Sequence, residues 1–381
     1  MQCQILTQVS NLTTRRKLFF AAAFVALATA ASPACATNWW TTTPTVSIGS
    51  TVLNVRNFGA MGNGVSDDTA AFQAAINALP STGGTIVVPN GTYMIDALKS
   101  INLRSHTRLS LWGSAYIKAI PNNAQRYWIV KAWNVNNVEI VGGNYVGERT
   151  QHQGTIGQWG YDINIQGSSN VYVHDTTLSN SWGDGILVGG TGSGKTVVVS
   201  TGVTLNRVKS NNNRRQGLTI APATQVYVVN SSFTGSNGTA PEAGIDIEPQ
   251  TQGTTQQVRL ENTTVSGNAG NGLEVHEYVS SLALNGFTAQ NNHGYGVYVN
   301  GASGVTITNS DLSQNNLFGV DIAGYTSNVQ MTYNTIEWNG DTWFYAHNQS
   351  IFSAGWDLRD ITVASTTANV TQSHNVISPM K

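Results

Sequence analysis

One phrase returns through the second half of the chain: a turn, a glycine, then alternating apolar residues. It reads Asp162-Ile163-Asn164-Ile165, Gly185-Ile186-Leu187-Val188, Gly217-Leu218-Thr219-Ile220, Gly244-Ile245-Asp246-Ile247, Gly272-Leu273-Glu274-Val275, Gly296-Val297-Tyr298-Val299 and Gly319-Val320-Asp321-Ile322. Successive phrases start 23, 32, 27, 28, 24 and 23 residues apart. Between them stand further alternating runs that close on Asn, Ser or Gly, such as Val226-Tyr227-Val228-Val229-Asn230-Ser231 and Val305-Thr306-Ile307-Thr308-Asn309-Ser310. Alternation with period two is the burial pattern of a strand, and the polar turns bound it. The repeat is too short for a propeller blade and lacks the leucine pattern of leucine-rich repeats. It predicts a solenoid of parallel strands in which each coil buries one side chain in two and turn asparagines stack in hydrogen-bonded ladders. The long interval between Gly185 and Gly217 must extrude a loop, and loops of that kind wall a groove.

Composition agrees. Charged residues are 10% of the chain, against about 25% in an average soluble protein. Coiled coils, helical bundles and charge-rich disordered tails are thereby excluded. Residues 1–36 read as an export leader, with Arg15, Arg16 and Lys17 before an apolar stretch and Ala34-Cys35-Ala36 as a small-residue cleavage site. The Arg-Arg pair is of the twin-arginine type, which sends a folded protein to the periplasm or beyond. Both cysteines, Cys3 and Cys35, belong to the leader, so the mature chain carries no disulfide and no catalytic thiol. Of 19 basic and 20 acidic residues the leader removes three bases, leaving a formal charge of -4. A nucleic-acid partner held by a basic face is not expected. Nor is a membrane span after leader cleavage, since no second apolar run approaches about 20 residues.

The open ends of a solenoid expose core and strand edges, so they need covers. Ser66-Asp67-Asp68 starts a helical pattern, Phe72, Ile76 and Leu79 form its apolar stripe, and Pro80 with Gly83-Gly84 ends it. Around it stand Val55-Arg56-Asn57-Phe58-Gly59-Ala60-Met61-Gly62-Asn63-Gly64-Val65-Ser66-Asp67-Asp68-Thr69 and Gly83-Gly84-Thr85-Ile86-Val87-Val88-Pro89-Asn90-Gly91-Thr92-Tyr93. This segment resembles the N-terminal part of the pectate-lyase-like right-handed β-helix superfamily, which includes rhamnogalacturonases, polygalacturonase relatives, mannuronan C5-epimerases and phage tailspikes. The resemblance implies an all-β fold, a single-stranded right-handed parallel β-helix with an N-terminal capping α-helix. Its expected divisions are a leader at 1–36, a lead-in at 37–51, the helix with its cap at 52–342 and a C-terminal cap at 343–381. A self-satisfied solenoid of this kind is expected to be a monomer.

Aligning the coils on their glycines maps the outer wall, because stacked strands lie about 4.8 Å apart and residues i and i+2 share a face. The position two after each glycine carries Asn164, Leu187, Thr219, Asp246, Glu274, Tyr298 and Asp321 in order, and the position four after carries Glu248 and His276 on adjacent coils. A chain this poor in charge has gathered three acids and a histidine. Like charges at this spacing raise one another's pKa, a cost that a purely structural wall avoids. Asp184 precedes Gly185 beside Trp182, and Arg214 and Arg215 precede Gly217, placed to hold the acids together or to clamp an anionic substrate. Trp159, Trp182, Tyr278 and Tyr298 fall near the same face, and flat rings pack on sugar faces.

Gly272-Leu273-Glu274-Val275-His276-Glu277 is similar to the mannuronan C5-epimerase signature Gly-Phe-Asp-Pro-His-Glu. The resemblance puts Glu274 in the place of the catalytic acid and His276 in that of the histidine. This chain departs from it with Glu for Asp, Val for Pro, and Asn271 where that family has a catalytic Tyr. Three readings stand. In a lyase or epimerase acting on a polyuronate, Arg214 or Arg215 neutralises the sugar carboxylate and His276 or Tyr298 removes the C5 proton. No cofactor is required, although Ca²⁺ among Asp246, Glu248 and Glu274 is an alternative to the arginine. In a glycoside hydrolase, two of the acids divide the general acid and base roles. In a non-catalytic carbohydrate-binding body, the polysaccharide is only held. The first is preferred.

Overall fold

The computed structural model describes residues 38–192, 196–249, 253–340 and 360–378. The leader read at 1–36, with Cys3 and Cys35, lies outside the described residues. Successive coils contribute strands to three walls in turn, here called sheets A, B and C. Sheet A stacks 12 strands from Thr51–Asn54 to Ala368–Ser373, sheet B nine from Asn63–Asp67 to Thr288–Gln290, and sheet C ten from Ile101–Asn102 to Ile361–Val363. Neighbouring strands pair in parallel, and consecutive strands in a sheet come from consecutive coils, as a parallel β-helix requires.

The core is the inward row of each strand stacked on itself. In sheet C one row runs Ile186, Leu218, Ile245, Leu273, Val297, Val320, and the next runs Val188, Ile220, Ile247, Val275, Val299, Ile322. All of these are fully buried. The corners explain the asparagines: each coil bends through single left-handed residues, with φ of 50°, 46° and 50° at Asn230, Asn262 and Asn309 between sheets A and B. Asn180, Asn212 and Asn291 do the same between B and C, at 60°, 51° and 55°. Asn adopts this conformation more readily than most residues with a Cβ. A buried ladder links Asn268, Asn292, Asn315 and Asn339, each amide donating to the next side-chain oxygen at 2.9, 2.9 and 3.0 Å and the last ending on Asp360 at 2.8 Å.

The α-helix is shorter than the sequence suggests, Thr69–Asn77. Asn63–Asp67 instead pairs with Gly91–Ile95, and the Asp68 carboxylate accepts from the Met61 and Gly62 amides at 2.6 and 3.1 Å. Phe72, Ala75 and Ile76 are fully buried, with Phe72 edge-on to Tyr93. At the other end the coils continue past residue 342, since Ile361–Val363, Ala368–Ser373 and Val376–Ser378 each add to the preceding coil. Residues 343–359 and 379–381 of the expected C-terminal cap lie outside the described residues. The segment at 38–49 lies across sheet A, where Thr42 O accepts from Tyr172 Oη at 2.9 Å and Asn206 Nδ2 at 2.8 Å. No described helix is long and apolar enough to cross a membrane.

The repeated glycine has a steric cause. A Cβ on Gly217 would stand 2.6 Å from the Gly244 carbonyl oxygen and 2.7 Å from Phe233 Cβ, and one on Gly244 would stand 2.7 Å from Asn268 Nδ2. Gly217→Ala is therefore expected to destabilise the protein by about 1–3 kcal/mol through overpacking. An unchanged urea midpoint would show that the corner can yield.

Candidate functional site

Sheet C carries the acids on its outer face. Asp246 and Glu274 are register partners on adjacent strands, as the glycine map places them, with Tyr298 and then Asp321 on the next two. One position further on, His276 reaches back between the acids, its Nε2 3.3 Å from Asp246 Oδ1 and 3.2 Å from Glu274 Oε1. Asp246 is fully buried, while the His276 side chain is 36% exposed and so presents an accessible edge. Burial pushes the Asp246 carboxyl up, with Glu248 adding to the rise and His276 opposing it. The same contact, joined by Glu274, holds His276 up at about 10. The cluster thus retains a proton through neutral pH.

A second layer supports it. Arg215 donates to Asp184 at 3.2 Å and to Glu248 at 2.8 Å, bridging two acids with a side chain that is 9% exposed. Burial lowers the Arg215 pKa, but Asp184 and Glu248 more than offset that and keep it cationic. Burial raises Asp184 to about 6 even though Arg215 opposes the shift. The Thr219 hydroxyl stands 2.7 Å from Asp184 Oδ2 and also meets Gln216 Oε1, its single proton shared between the two, and Gln216 donates to Asp246, so the two carboxylate groups are joined by one hydrogen-bonded chain. Asn271 donates to Glu274 Oε2 at 3.0 Å and accepts from the Tyr295 amide at 2.8 Å.

Gln216 and Asn271 escape the glycine map because it counts only forward from each glycine. The side chain just before the pinch shares the outer face with the one two after it, which the contacts of Asp184, Gln216 and Asn271 show. The −1 column, Asp184, Gln216, Ala243, Asn271, Tyr295 and Phe318, is readable from the same alignment once that is known.

Toward the N-terminal coils the face opens into a cleft of about 740 Å³, bounded by Trp128, Trp133 and Trp159 and reaching Thr219, Arg215 and Glu248. Gly190, Thr191 and Gly192 of the long-interval loop form part of its wall, the role expected of that loop. Arg126 lies 4.8 Å from the Trp159 ring, and Lys131 5.3 and 4.8 Å from those of Trp128 and Trp133. These four residues other than Trp159 went unread because their coil lacks the glycine phrase, although Trp128 and Trp133 flank a strand alternation in 126–133.

Other expected residues stand elsewhere. Trp182 is buried, stacked on His152 at 3.8 Å, with Arg214 3.8 Å from its ring. Arg214 also donates to the Gly157 carbonyl at 2.8 Å. Both hold the segment that precedes Trp159 and do not border the cleft. Tyr278 is 52% exposed at a left-handed turn leaving sheet C. Tyr298, half-buried, stacks on Tyr295 with centroids 5.4 Å apart, and its hydroxyl pKa is raised by burial and by Asp321 and Glu274.

Among the described residues, side-chain atoms of Asp246, Glu248 and His276 lie within 4.8 Å of one another and could together hold a metal ion. Glu274 is not among them, so the set differs from the calcium site read in the sequence. An imidazole in place of a carboxylate, and the Arg215 guanidinium on Glu248, suit calcium poorly, since that ion prefers oxygen ligands.

Comparison with known proteins accords with this architecture. A right-handed β-helix family model matches residues 241–378. The chain is 28% identical over 274 residues to the uncharacterized protein YclG of Bacillus subtilis (strain 168), covering 66% of this chain and 45% of that one. It is 27% identical over 272 residues to mannuronan C5-epimerase AlgE5 of Azotobacter vinelandii, covering 71% and 24%. It thus spans less than half the length of these relatives. The A-module structure of mannuronan C5-epimerase AlgE6, also from Azotobacter vinelandii, superposes with a TM-score of 0.66 at 24% identity, over 76% of this chain and 77% of that one, a likeness of fold. The model for rhamnogalacturonase A/epimerase, pectate lyase-like, matches residues 52–296, and the chain belongs to that family.

Proposed function

We propose that the protein is an exported polysaccharide-modifying enzyme that binds a uronate-containing glycan along sheet C and moves the C5 proton, in a lyase- or epimerase-type reaction. The observation that carries this reading is His276 held between Asp246 and Glu274. Kept protonated, His276 offers a cation and a proton to the sugar carboxylate, which acidifies the adjacent C5–H. Tyr298, beside Glu274 on the next strand, is the acceptor of that proton. Trp128, Trp133 and Trp159 supply faces for sugar rings, and Arg126 and Lys131 supply charge for further carboxylates along the chain. Similarity to mannuronan C5-epimerases supports the same class. Arg215, held by two acids, stiffens the site in this reading and leaves the carboxylate to His276.

Hydrolysis is disfavoured by the pairing of the acids. An acid–base carboxylate pair needs open space between its members for water or the sugar, whereas His276 lies between Asp246 and Glu274, and Arg215 between Asp184 and Glu248.

The test is incubation with polymannuronate, polygalacturonate and a neutral glucan in D₂O. Deuterium at C5 in uncut chains marks an epimerase, and ultraviolet-absorbing unsaturated ends mark a lyase. New reducing ends without either would establish hydrolysis and overturn the proposal. Because Tyr298, whose pKa is raised, must lose its proton while His276 keeps one, the rate should climb above neutral pH, level off as His276 begins to deprotonate near about 10, and fall only at still higher pH. An optimum on the acid side would contradict these roles. The donor set also leads us to expect full activity after exhaustive chelation, and a loss restored by calcium would reinstate the calcium site.

A further inference from the structure

A second cavity, of about 320 Å³, lies on the outer face of sheet A, away from the acids of sheet C. Its walls are Trp39 and Trp40, brought there by the segment at 38–49, and Arg259. The two indoles stand nearly perpendicular, 82° with centroids 5.3 Å apart, and the Arg259 guanidinium lies 4.7 Å from the Trp40 ring. Along the outward row Arg259 is followed by Ala283 and then Thr306 on successive strands, so small side chains floor the space beside the rings. Indoles that merely sealed the N-terminal segment onto the sheet would fill this space.

We infer that this cavity is a separate glycan-binding site that takes a neutral pyranose unit. An indole face matches the C–H face of a sugar ring, while Ser281, Thr306 and the guanidinium edge suit its hydroxyls. Neutrality follows from Arg259, whose Nε is 2.7 Å from Glu261 Oε2, so its charge is already balanced. The sheet C cleft, with Arg126 on its wall and Lys131 against its Trp128 and Trp133 rings, has the opposite bias. The inference is independent of the proposed chemistry.

Tryptophan fluorescence and calorimetric titration with cellohexaose, mannohexaose and hexagalacturonate test it. We expect a neutral hexaose to bind, and Trp40→Ala and Thr306→Trp each to weaken it at least about tenfold, the loss of one stacking face or of the space beside it. Thr306→Trp leaves the indole pair in place, so it decides the matter even where Trp40→Ala perturbs folding. Trp128→Ala, in the sheet C cleft, should leave neutral binding intact, and Thr306→Trp should leave uronate turnover intact. Absence of any neutral binding, binding that survives Thr306→Trp, or binding lost in Trp128→Ala overturns the site.

Discussion

His276→Gln should reduce turnover of the uronate substrate by about 10²–10⁴-fold, the range associated with a lost general acid or base. Glutamine retains a polar tip near Asp246 and Glu274 but offers no cation and no transferable proton. Folding should survive, because the side chain is 36% exposed on the outer face of sheet C. Its stabilising contact has a defined pH window: the folded pKa, about 10, lies above the ordinary value of 6.5, so the contribution is complete below that ordinary value and is lost as pH rises toward 10. The wild type should therefore lose its stability margin over the variant in alkali. Asp246→Asn supplies an internal check, since it removes the first support of the His276 proton and should make the climb in rate level off at a lower pH. Wild-type turnover by His276→Gln would place the chemistry on another face.

What could be read from the sequence was what repeats. The glycine phrase fixes which side chains enter the core, and the same alignment pairs Asp246 with Glu274, as the strands do. The turn asparagines signal the left-handed corners because few other residues adopt them at low cost. What escaped depends on contacts between distant segments. Thr219 and Asp246 occupy outward positions, yet both are covered, Thr219 by Asp184, 35 residues away, and Asp246 by Gln216, 30 residues away, and nothing local announces either contact. Trp182 reads as a sugar platform until the segment carrying His152 is folded over it. Likewise a stretch rich in Thr, with two tryptophans, gives no hint that it will cross sheet A and meet Tyr172, which lies 130 residues from Thr42.

Arg215→Met should be the most destabilising single change at the site, at about 3–5 kcal/mol, because it strips the cation from two acids while filling much of the same space. Asp184 is fully buried and Arg215 nearly so, which removes the solvent screening that makes exposed pairs weak. The loss should depend on pH in a direction set by Asp184. With Arg215 present its folded pKa, about 6, already exceeds the ordinary carboxyl value of 3.8, so folding binds a proton and stability falls as pH rises between those values. Without the guanidinium the folded pKa rises further and the fall extends to higher pH, so the variant should lie nearer the wild type at pH about 5 than at about 8. Adding Asp184→Asn removes the stranded charge and should recover a large share of the stability at pH about 8, since replacing both members of a buried pair costs less than breaking it. Urea midpoints of the single and double variants at both pH values measure this. A single variant as stable as wild type at the higher pH, or a double variant no better than the single, would show that Arg215 does not hold the acids and that their burial is balanced elsewhere.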